Sequence, residues 1–374
     1  MFRILFVNTR YRPPHFRGGV ERYVHVLAQA FTARGYRAEV VAFDEPLECE
    51  TDVPRHFLAA ADVPFLRPLI FSWKGRRLWR EADLIVLQYI PLGLLMPLHK
   101  VVCTVHTTGY GEALALSQTR VSGIGGWWKR ARRQISLPLE RHVLRRAARI
   151  IAISEQIAAE LIKSYGIARE RIVVVGNGVD CAAFRPDETP KGRTPLRVLY
   201  VGRLAPRKNV EVLVRAAALR KSPMQLRIVG TGPEQARLQA LAQSLGISNC
   251  TTFPGFRKGA DLLAEYQWAD VLVMPSAYEG MPLVALEAKA AGLPIIAADF
   301  AGAANIVSAA SGRIVPNISA DSLALALDQI AADSAELNRM AATTRREAVE
   351  AFSWQAVVNK LANEYDGILR SRNR

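Results

Sequence analysis

Two cations in the second half of the sequence could bind a phosphorylated ligand, and two carboxylates of the same half flank the start of a predicted helix. Arg203 and Lys208 follow a predicted strand beside Gly202, and such cations can hold a diphosphate through charge-assisted hydrogen bonds. Glu279 and Glu287 flank the start of a predicted helix, with seven residues between them. Simpler interpretations stay open, because the two cations could be solvated at the surface and Glu279 could merely suit the helix dipole.

Glu287 has an unusual position for a carboxylate. Leu283, Leu286 and Ala290 share one face of the predicted helix, and Glu287 projects into that apolar arc, whereas Lys289 is predicted to point away. A carboxylate on an inward face needs a hydrogen-bonding partner, since burying an unpaired charge is very costly. A half-exposed glutamate at the rim of a sheet fits the periodicity equally well, so both interpretations stay open.

Alternating strands and helices must position these side chains. The predicted strands are Phe2–Val7, Ala38–Phe43, Leu84–Gln88, Val101–His106, Ile150–Ser154, Ile172–Gly176, Leu196–Val201, Leu226–Val229, Thr251–Phe253, Val271–Pro275, Ile295–Ala298 and Gly312–Val315. Helical patterns between them predict parallel sheets that are covered on both faces. The helix that carries Glu287 is predicted to have Pro282 as its first residue and to end before Gly292.

The stretch from Arg185 to Thr194 contains no apolar residue, which predicts a linker between two doubly wound domains that enclose a cleft. The predicted organisation is a first Rossmann-like domain over residues 1–183, a linker over 184–195, a second Rossmann-like domain over 196–351 and a C-terminal helix over 352–374 that packs back towards the first domain.

Polar residues at predicted strand ends in the first half are further candidates. Gly18 and Gly19 stand between a strand and a helix, where they could let backbone approach an anionic ligand, although a tight turn is the simpler explanation. His106 and Ser154 follow strands at the edge where α/β sheets bind ligands. A helix cap is the favoured interpretation for Ser154, and a role in the site is favoured for His106.

Charge and cysteine usage limit the classes of partner and compartment. The chain has 49 Lys and Arg against 34 Asp and Glu, a net charge of +15 that calls for an anionic partner. Its four cysteines are scattered without metal-site spacing, so we expect a reducing cytoplasm and no Cys/His metal cluster. The sequence contains no uninterrupted apolar run of about 18 residues, so it predicts no transmembrane helix.

Two segments of the first half combine tryptophan with arginine. They are Pro64–Glu81 and residues 124–149, and residues 120–149 hold nine Lys and Arg but one acidic residue. Such helices are typical of contact with anionic lipid, although an ordinary outer helix of the sheet is the alternative for either segment alone. The two together favour a peripheral protein on the inner face of the cell membrane.

Taken together, these segments resemble the family 4 glycosyltransferases, retaining enzymes with the two-Rossmann GT-B fold. The resemblance extends over essentially the whole chain. It rests on Gly18-Gly19-Val20-Glu21, Val105-His106, Ile153-Ser154, Asn177-Gly178-Val179-Asp180, Val201-Gly202-Arg203 with Lys208, Gly230-x-Gly232-Pro233, and Glu279 with Glu287. The chain departs from the family pattern at Asn305, which stands where an acidic residue is often found.

The resemblance implies a role for each matching residue. Arg203 and Lys208 would bind the diphosphate of a nucleotide-sugar donor, Glu287 its ribose hydroxyls and Glu279 its sugar. The remaining implied contacts are His106 near the donor sugar, Gly18 and Gly19 near the diphosphate and acceptor, Gly280, Met281, Pro282 and Leu283 at the helix start, and Gly202 and Gly230 in the donor-binding loops.

The implied reaction transfers a sugar from a UDP- or GDP-sugar to an acceptor hydroxyl with retention at the anomeric carbon. No cofactor and no metal are expected, since the two cations would take the metal's place. A lipid-linked or glycan acceptor is expected, as in surface polysaccharide synthesis, and a soluble acceptor is an alternative. A sugar-nucleotide epimerase of the same fold and a basic nucleic-acid-binding protein also stay open, although the sequence has no known nucleic-acid motif and we expect no nucleic-acid partner.

Overall fold

A computed structural model describes residues 1–13, 19–43, 52–59, 66–109, 137–187, 190–277, 279–300 and 302–372. The chain forms two compact units, one of Met1–Asn177 with Val357–Arg374 and the other of Gly178–Ala356. Each unit contains its own parallel sheet with helices between the strands. The predicted α/β fold with two Rossmann-like parallel sheets is therefore confirmed.

The first unit is built on a seven-stranded sheet of order β3-β2-β1-β4-β5-β6-β7. Its strands are β1 (Arg3–Val7), β2 (Arg37–Ala42), β3 (Arg55–Phe57), β4 (Leu84–Leu87), β5 (Val101–Val105), β6 (Arg149–Ala152) and β7 (Ile172–Val174). Every residue of β1, β4 and β5 is buried, as expected for strands covered on both faces. The sequence does not predict β3, because this short edge strand is half-buried and has no apolar run.

The first unit also contains helices. They are α1 (Gly19–Ala33), α2 (Arg67–Lys74), α3 (Arg76–Glu81), α4 (residues 137–146), α5 (Glu155–Tyr165) and the greater part of α12 (Trp354–Arg372). Ser154 caps α5, because its Oγ accepts a hydrogen bond of 3.3 Å from the Ile157 N–H, which confirms the predicted cap. In α12, the fully buried Tyr365 stacks on Phe31 of α1 with ring centroids 5.2 Å apart.

The second unit is built on a six-stranded parallel sheet of order β10-β9-β8-β11-β12-β13. Its strands are β8 (Leu196–Val201), β9 (Met224–Val229), β10 (Thr251–Gly255), β11 (Val271–Met274), β12 (Ile295–Ala298) and β13 (Gly312–Val315). Its helices are α6 (Val210–Leu219), α7 (Gln235–Ser244), α8 (Gly259–Trp268), α9 (Leu283–Ala290), α10 (Ala320–Ala331) and α11 (Ser334–Glu347). The strands β8 and β11 are neighbours, so the segments that follow them meet at one edge of the sheet.

The segment without apolar residues before β8 is partly buried against the second unit. Lys191 is 6% exposed, and its Nζ donates a hydrogen bond of 2.8 Å to the Ala269 carbonyl. The Gly192 N–H donates to Asp270 Oδ1 over 3.1 Å. Polar hydrogen bonds therefore hold this stretch, although its composition predicts a solvated linker.

A buried carboxylate holds one end of the first sheet together. Glu39 of β2, whose side chain is 2% exposed, accepts hydrogen bonds from Arg3 at 2.8 Å, Arg37 at 2.5 Å and His56 at 2.6 Å. Burial by itself would raise the pKa of Glu39, but the hydrogen bonds from Arg3, His56 and Arg37 outweigh it and lower the pKa to about 2.

We expect Glu39→Gln to destabilise the protein by about 2–3 kcal/mol at pH 7 and by less at pH 3. A depressed folded-state pKa stabilises the protein above the ordinary carboxyl pKa, and this contribution is lost as the pH falls from about 4.5 towards 2. Urea unfolding of both proteins at several pH values measures the difference. Glu81→Gln is the matched control, because Glu81 also pairs with Arg3 but its side chain is 57% exposed. An equal loss of stability in both variants, or a loss independent of pH, would contradict the prediction.

Candidate functional site

The structure brings together two of the predicted site residues of the second unit, Lys208 and Glu279. Lys208 ends a single 3-10 turn, Pro206–Lys208, which follows β8, and its Nζ donates a short hydrogen bond to Glu279 Oε1. Their side chains are 13% and 9% exposed. The segments that carry them are also joined by their backbones, because the Ala277 N–H donates to the Arg207 carbonyl over 3.1 Å. A cation and a carboxylate therefore meet, largely shielded from water, beyond the ends of β8 and β11.

Arg203 lies on the same loop and is exposed. Its guanidinium makes no ion pair or hydrogen bond to another described residue, so it is available to an anion. Its backbone is fixed, because the Tyr200 hydroxyl donates to the Arg203 carbonyl over 3.1 Å. Gly202 leaves room for this contact, since a Cβ there would lie 2.8 Å from the Tyr200 hydroxyl.

Gly230 has a packing role beside the predicted ligand-binding one. Its φ of +131° suits glycine, and a Cβ at this position would lie 1.9 Å from the Gly202 carbonyl oxygen. The Leu204 N–H donates to the Thr231 carbonyl over 2.9 Å, so the loops after β8 and β9 are in direct backbone contact. The glycines therefore allow the Arg203 loop to rest on its neighbour.

The start of α9 carries the predicted residues Gly280, Met281, Pro282 and Leu283. Pro282 is the N-cap residue with extended backbone, and the helix begins at Leu283, so the prediction that Pro282 is the first helical residue is wrong by one position. In the described part of the chain, no side chain caps this helix. Its first N–H groups retain the partial positive charge that favours an anion.

Glu287 of α9 is half-buried and has the kind of partner that its position requires. The Tyr266 hydroxyl donates a hydrogen bond of 3.0 Å to Glu287 Oε2. Tyr266 is fully buried on α8, and both its burial and the charge of Glu287 raise the pKa of this phenol well above its usual value. Sequence reasoning missed Tyr266, because nothing local marks a tyrosine whose partner lies on the next helix.

The predicted direction of Lys289 is wrong. Lys289 is 1% exposed, and its Nζ donates to the Ile306 carbonyl over 2.8 Å and to Glu347 Oε2 over 2.5 Å. Burial lowers the pKa of Lys289, and the bond with Glu347 opposes that shift. A lysine can face inward here because α11 and the turn after β12 supply its polar partners, which a count of apolar positions on one helix does not reveal.

In the first unit, His106 directly follows β5 and is half-buried. Its Nε2–H donates to Gln88 Oε1 over 2.8 Å, and its ring meets Tyr23 of α1 edge-on with centroids 5.1 Å apart. Burial lowers the pKa of His106 to about 4, so the imidazole is neutral near pH 7. Gly19 is the first residue of α1 and is exposed, whereas Gly18 lies outside the described residues.

The predicted residues thus belong to two separate sets, with His106 and Gly19 in the first unit and the others in the second. Across the ranges that the structure describes, no group of three His, Cys, Asp or Glu side chains is arranged to hold a metal ion. The second unit can offer a diphosphate two cations and an uncapped helix start, and the first unit offers neutral hydrogen-bonding groups.

Comparison with known proteins assigns the chain to a family. Residues 17–183 match the family model described as Glycosyltransferase Family 4, and residues 184–347 match the model described as Glycosyl transferases group 1. A curated relative, the D-inositol 3-phosphate glycosyltransferase of Nocardia farcinica, is 37% identical over 169 residues, which are 40% of this chain and 37% of the relative. The chain therefore matches well under half the length of that relative.

Solved structures show the same fold at lower identity. Sucrose-phosphate synthase from Thermosynechococcus elongatus is 24% identical with a TM-score of 0.80, over 99% of this chain and 100% of that one. Anabaena HepE in complex with UDP-glucose is 21% identical with a TM-score of 0.73, over 98% and 100% of the two chains. Because the two family models together extend from residue 17 to residue 347, this chain belongs to the family 4 glycosyltransferases, with a group 1 C-terminal half.

Proposed function

We propose that this protein is a retaining glycosyltransferase that moves a sugar from a nucleotide-diphosphate sugar to an acceptor hydroxyl. The observation that carries the proposal is the ion pair of Lys208 and Glu279 beyond the ends of β8 and β11, with the exposed Arg203 on the same loop as Lys208. Ligands of open α/β sheets bind at that edge. The similarity to HepE, which was solved with UDP-glucose, supports a nucleotide sugar as the donor.

In this proposal the donor diphosphate is bound by charge. Lys208 and Arg203 supply two cations, and the first amides of α9 add the positive end of a helix dipole. A diphosphate beside Lys208 competes with Glu279, which is then released to accept hydrogen bonds from hydroxyls of the sugar. The cations also stabilise the charge that develops on the departing phosphate, which takes up the proton of the acceptor on the same face.

The ribose of the donor is assigned to Glu287. A carboxylate can accept hydrogen bonds from two neighbouring hydroxyls, provided that it is held still. Tyr266 holds it through the 3.0 Å bond to Oε2, from a fully buried position packed edge-on against Phe184. We therefore give Tyr266 a positioning role in donor binding.

We propose that transfer needs no divalent metal. In many enzymes that act on phosphates, a metal ion neutralises the negative charge of the departing diphosphate. Here Lys208 and Arg203 supply that positive charge. Positioning and fixed charge are then the contributions of the protein to the rate.

We further propose that the first unit binds an anionic membrane surface. A basic aromatic face on α2 and α3 consists of the exposed residues Leu66, Trp73, Lys74, Arg76, Arg77 and Arg80. Trp73 is 58% exposed, and the Arg76 guanidinium lies 4.4 Å from the centre of its ring. An ordinary outer helix exposes mainly polar residues, whereas this face presents an apolar ring and cations to the solvent together.

A second basic surface lies nearby in the same unit. Arg141, Arg145 and Arg146 are exposed on α4. Helices α2 and α4 both pack on the buried 3-10 turn Ile90–Gly93. The Ser72 hydroxyl of α2 donates to the Leu92 carbonyl over 2.5 Å, and a Cβ on Gly93 would lie 2.8 Å from Val143 of α4. Arg149 of the predicted segment begins β6, and Lys129, Arg130, Arg132 and Arg133 lie outside the described residues.

Membrane contact supports a lipid-linked or glycan acceptor and a peripheral location on the inner face of the membrane. Within the described ranges, no helix has the length and apolar character that a membrane span requires. The relative from Nocardia farcinica is named for a phosphorylated inositol acceptor, which makes a small anionic acceptor the alternative to test.

Lys208→Ala and Glu287→Gln are each expected to lower kcat/KM for the donor about 100-fold, because each removes a charged contact of the donor. The assay follows transfer and donor hydrolysis with UDP-glucose, UDP-galactose, UDP-N-acetylglucosamine and GDP-mannose in the presence of EDTA. Lys221→Ala, an exposed lysine near the opposite end of the sheet, is the control. Full activity in both variants would refute the donor site, and formation of an isomeric sugar nucleotide without an acceptor would indicate an epimerase instead.

Tyr266→Phe is expected to raise the KM for the donor about tenfold with little change in kcat, because it releases one oxygen of Glu287. Competition by UDP and by 2′-deoxy-UDP measures the effect on ribose recognition, and the preference for UDP should shrink in the variant. Tyr365→Phe, which alters a buried tyrosine of the first unit, is the matched control. A fall in kcat with unchanged KM would contradict the positioning role.

Replacing Arg76, Arg77 and Arg80 together with alanine is expected to weaken sedimentation with phosphatidylglycerol vesicles roughly 100-fold, at about 1 kcal/mol for each charge. Binding of the unaltered protein should fall with added salt and be weak to phosphatidylcholine alone. The control replaces the exposed arginines Arg215, Arg237 and Arg339 of the second unit. Equal binding to neutral and anionic vesicles, or an equal loss of binding in the control variant, would refute the proposed membrane contact.

A further inference from the structure

Gln88 forms a polar pair with His106 that sequence reasoning did not identify. It follows β4 as His106 follows β5, and these two strands are parallel neighbours, so the two side chains emerge at the same edge of the first sheet. Gln88 is 8% exposed, and its Oε1 accepts the 2.8 Å hydrogen bond from His106 Nε2. Its backbone is fixed by an N–H that donates to the Val7 carbonyl over 2.9 Å.

The amide nitrogen of Gln88 is buried and has no hydrogen-bond partner among the described residues. Most buried polar groups in native proteins are paired, because an unpaired donor loses its hydration without compensation. A buried, unpaired amide at the ligand-binding edge of a parallel sheet is therefore best explained by a ligand that completes its hydrogen bonds.

His106 presents the complementary group. With its proton on Nε2, the neutral imidazole has an acceptor at Nδ1, which makes no hydrogen bond to another described residue. The edge-on ring of Tyr23 helps to hold the plane of the imidazole. The Gln88 amide N–H can donate to one hydroxyl group and His106 Nδ1 can accept from another, and neither side chain carries the charge that would select a phosphate.

We propose that Gln88 binds a hydroxyl group of the sugar substrate through its amide nitrogen and positions His106 by fixing the Nε2–H tautomer. This proposal rests on the function proposed above, and it gives the first unit neutral side chains that bind hydroxyl groups. Gln88 thereby determines which ring nitrogen of His106 can accept a hydrogen bond from the substrate.

Two variants separate the two roles. Gln88→Glu keeps an acceptor for Nε2–H but has no N–H to donate, and Gln88→Met removes both. Nitrogen-15 NMR of the ligand-free protein at pH 9, where the imidazole is neutral in every variant, reports the tautomer of His106. Gln29→Met, at an exposed position of α1, is the matched control, and circular dichroism and melting temperature verify folding.

The expected tautomer is Nε2–H in the unaltered protein and in Gln88→Glu, with a mixture of both tautomers in Gln88→Met. The assay uses the donor, among the four sugar nucleotides named above, that the unaltered protein accepts. With this donor, kcat/KM should fall about 10- to 100-fold in both variants. Gln29→Met should match the unaltered protein in both measurements.

An Nδ1–H tautomer in the unaltered protein, or an unchanged tautomer in Gln88→Met, would refute the positioning role. Full kcat/KM in folded Gln88→Glu and Gln88→Met would refute the contact with the sugar. Failure of the proposed function would give a different result, namely no turnover of any donor by the unaltered protein. The proposed sugar contact would then be refuted as well. The tautomer measurement would still decide the positioning role of Gln88.

Discussion

The ion pair between Lys208 and Glu279 is the interaction on which the candidate site of the second unit depends. Both side chains are about nine-tenths removed from water, and a cation in that position is stable only beside a negative charge. The segments after β8 and β11 must therefore stay together, and the backbone bond between Ala277 and Arg207 reinforces this. In the proposed donor site, a diphosphate would meet a lysine that is already stripped of most of its hydration, so less of the binding energy would be lost to desolvation.

The orientation of α9 depends on the same kind of pairing. A helix of only eight residues has little stability of its own, so its contacts with the rest of the unit must hold it. Lys289 of α9 forms an ion pair with Glu347 of α11. Glu287 of α9 accepts a hydrogen bond from Tyr266 of α8. The start of the helix and the Glu287 carboxylate are thereby held in fixed positions, which is what a site that works by positioning and fixed charge requires.

The sequence predicts those features whose cause is local. Apolar runs identify the central strands, because a strand covered on both faces must be apolar throughout, and Ser154 caps the helix that immediately follows it. The edge strand Arg55–Phe57 has no such run, and it is not predicted. The direction of Lys289 is mispredicted because its cause is not local. Its hydrogen-bond partners are distant in the sequence and come close only after folding.

The two units differ in the side-chain chemistry that they can offer to a ligand. Lys208 and Arg203 suit a diphosphate, which carries most of the charge of a nucleotide sugar, whereas Gln88 and the neutral His106 suit its hydroxyl groups. A protonated histidine would favour an anion, whereas the neutral imidazole favours a hydroxyl group. Burial that keeps His106 neutral therefore suits the hydroxyl-binding role proposed for it.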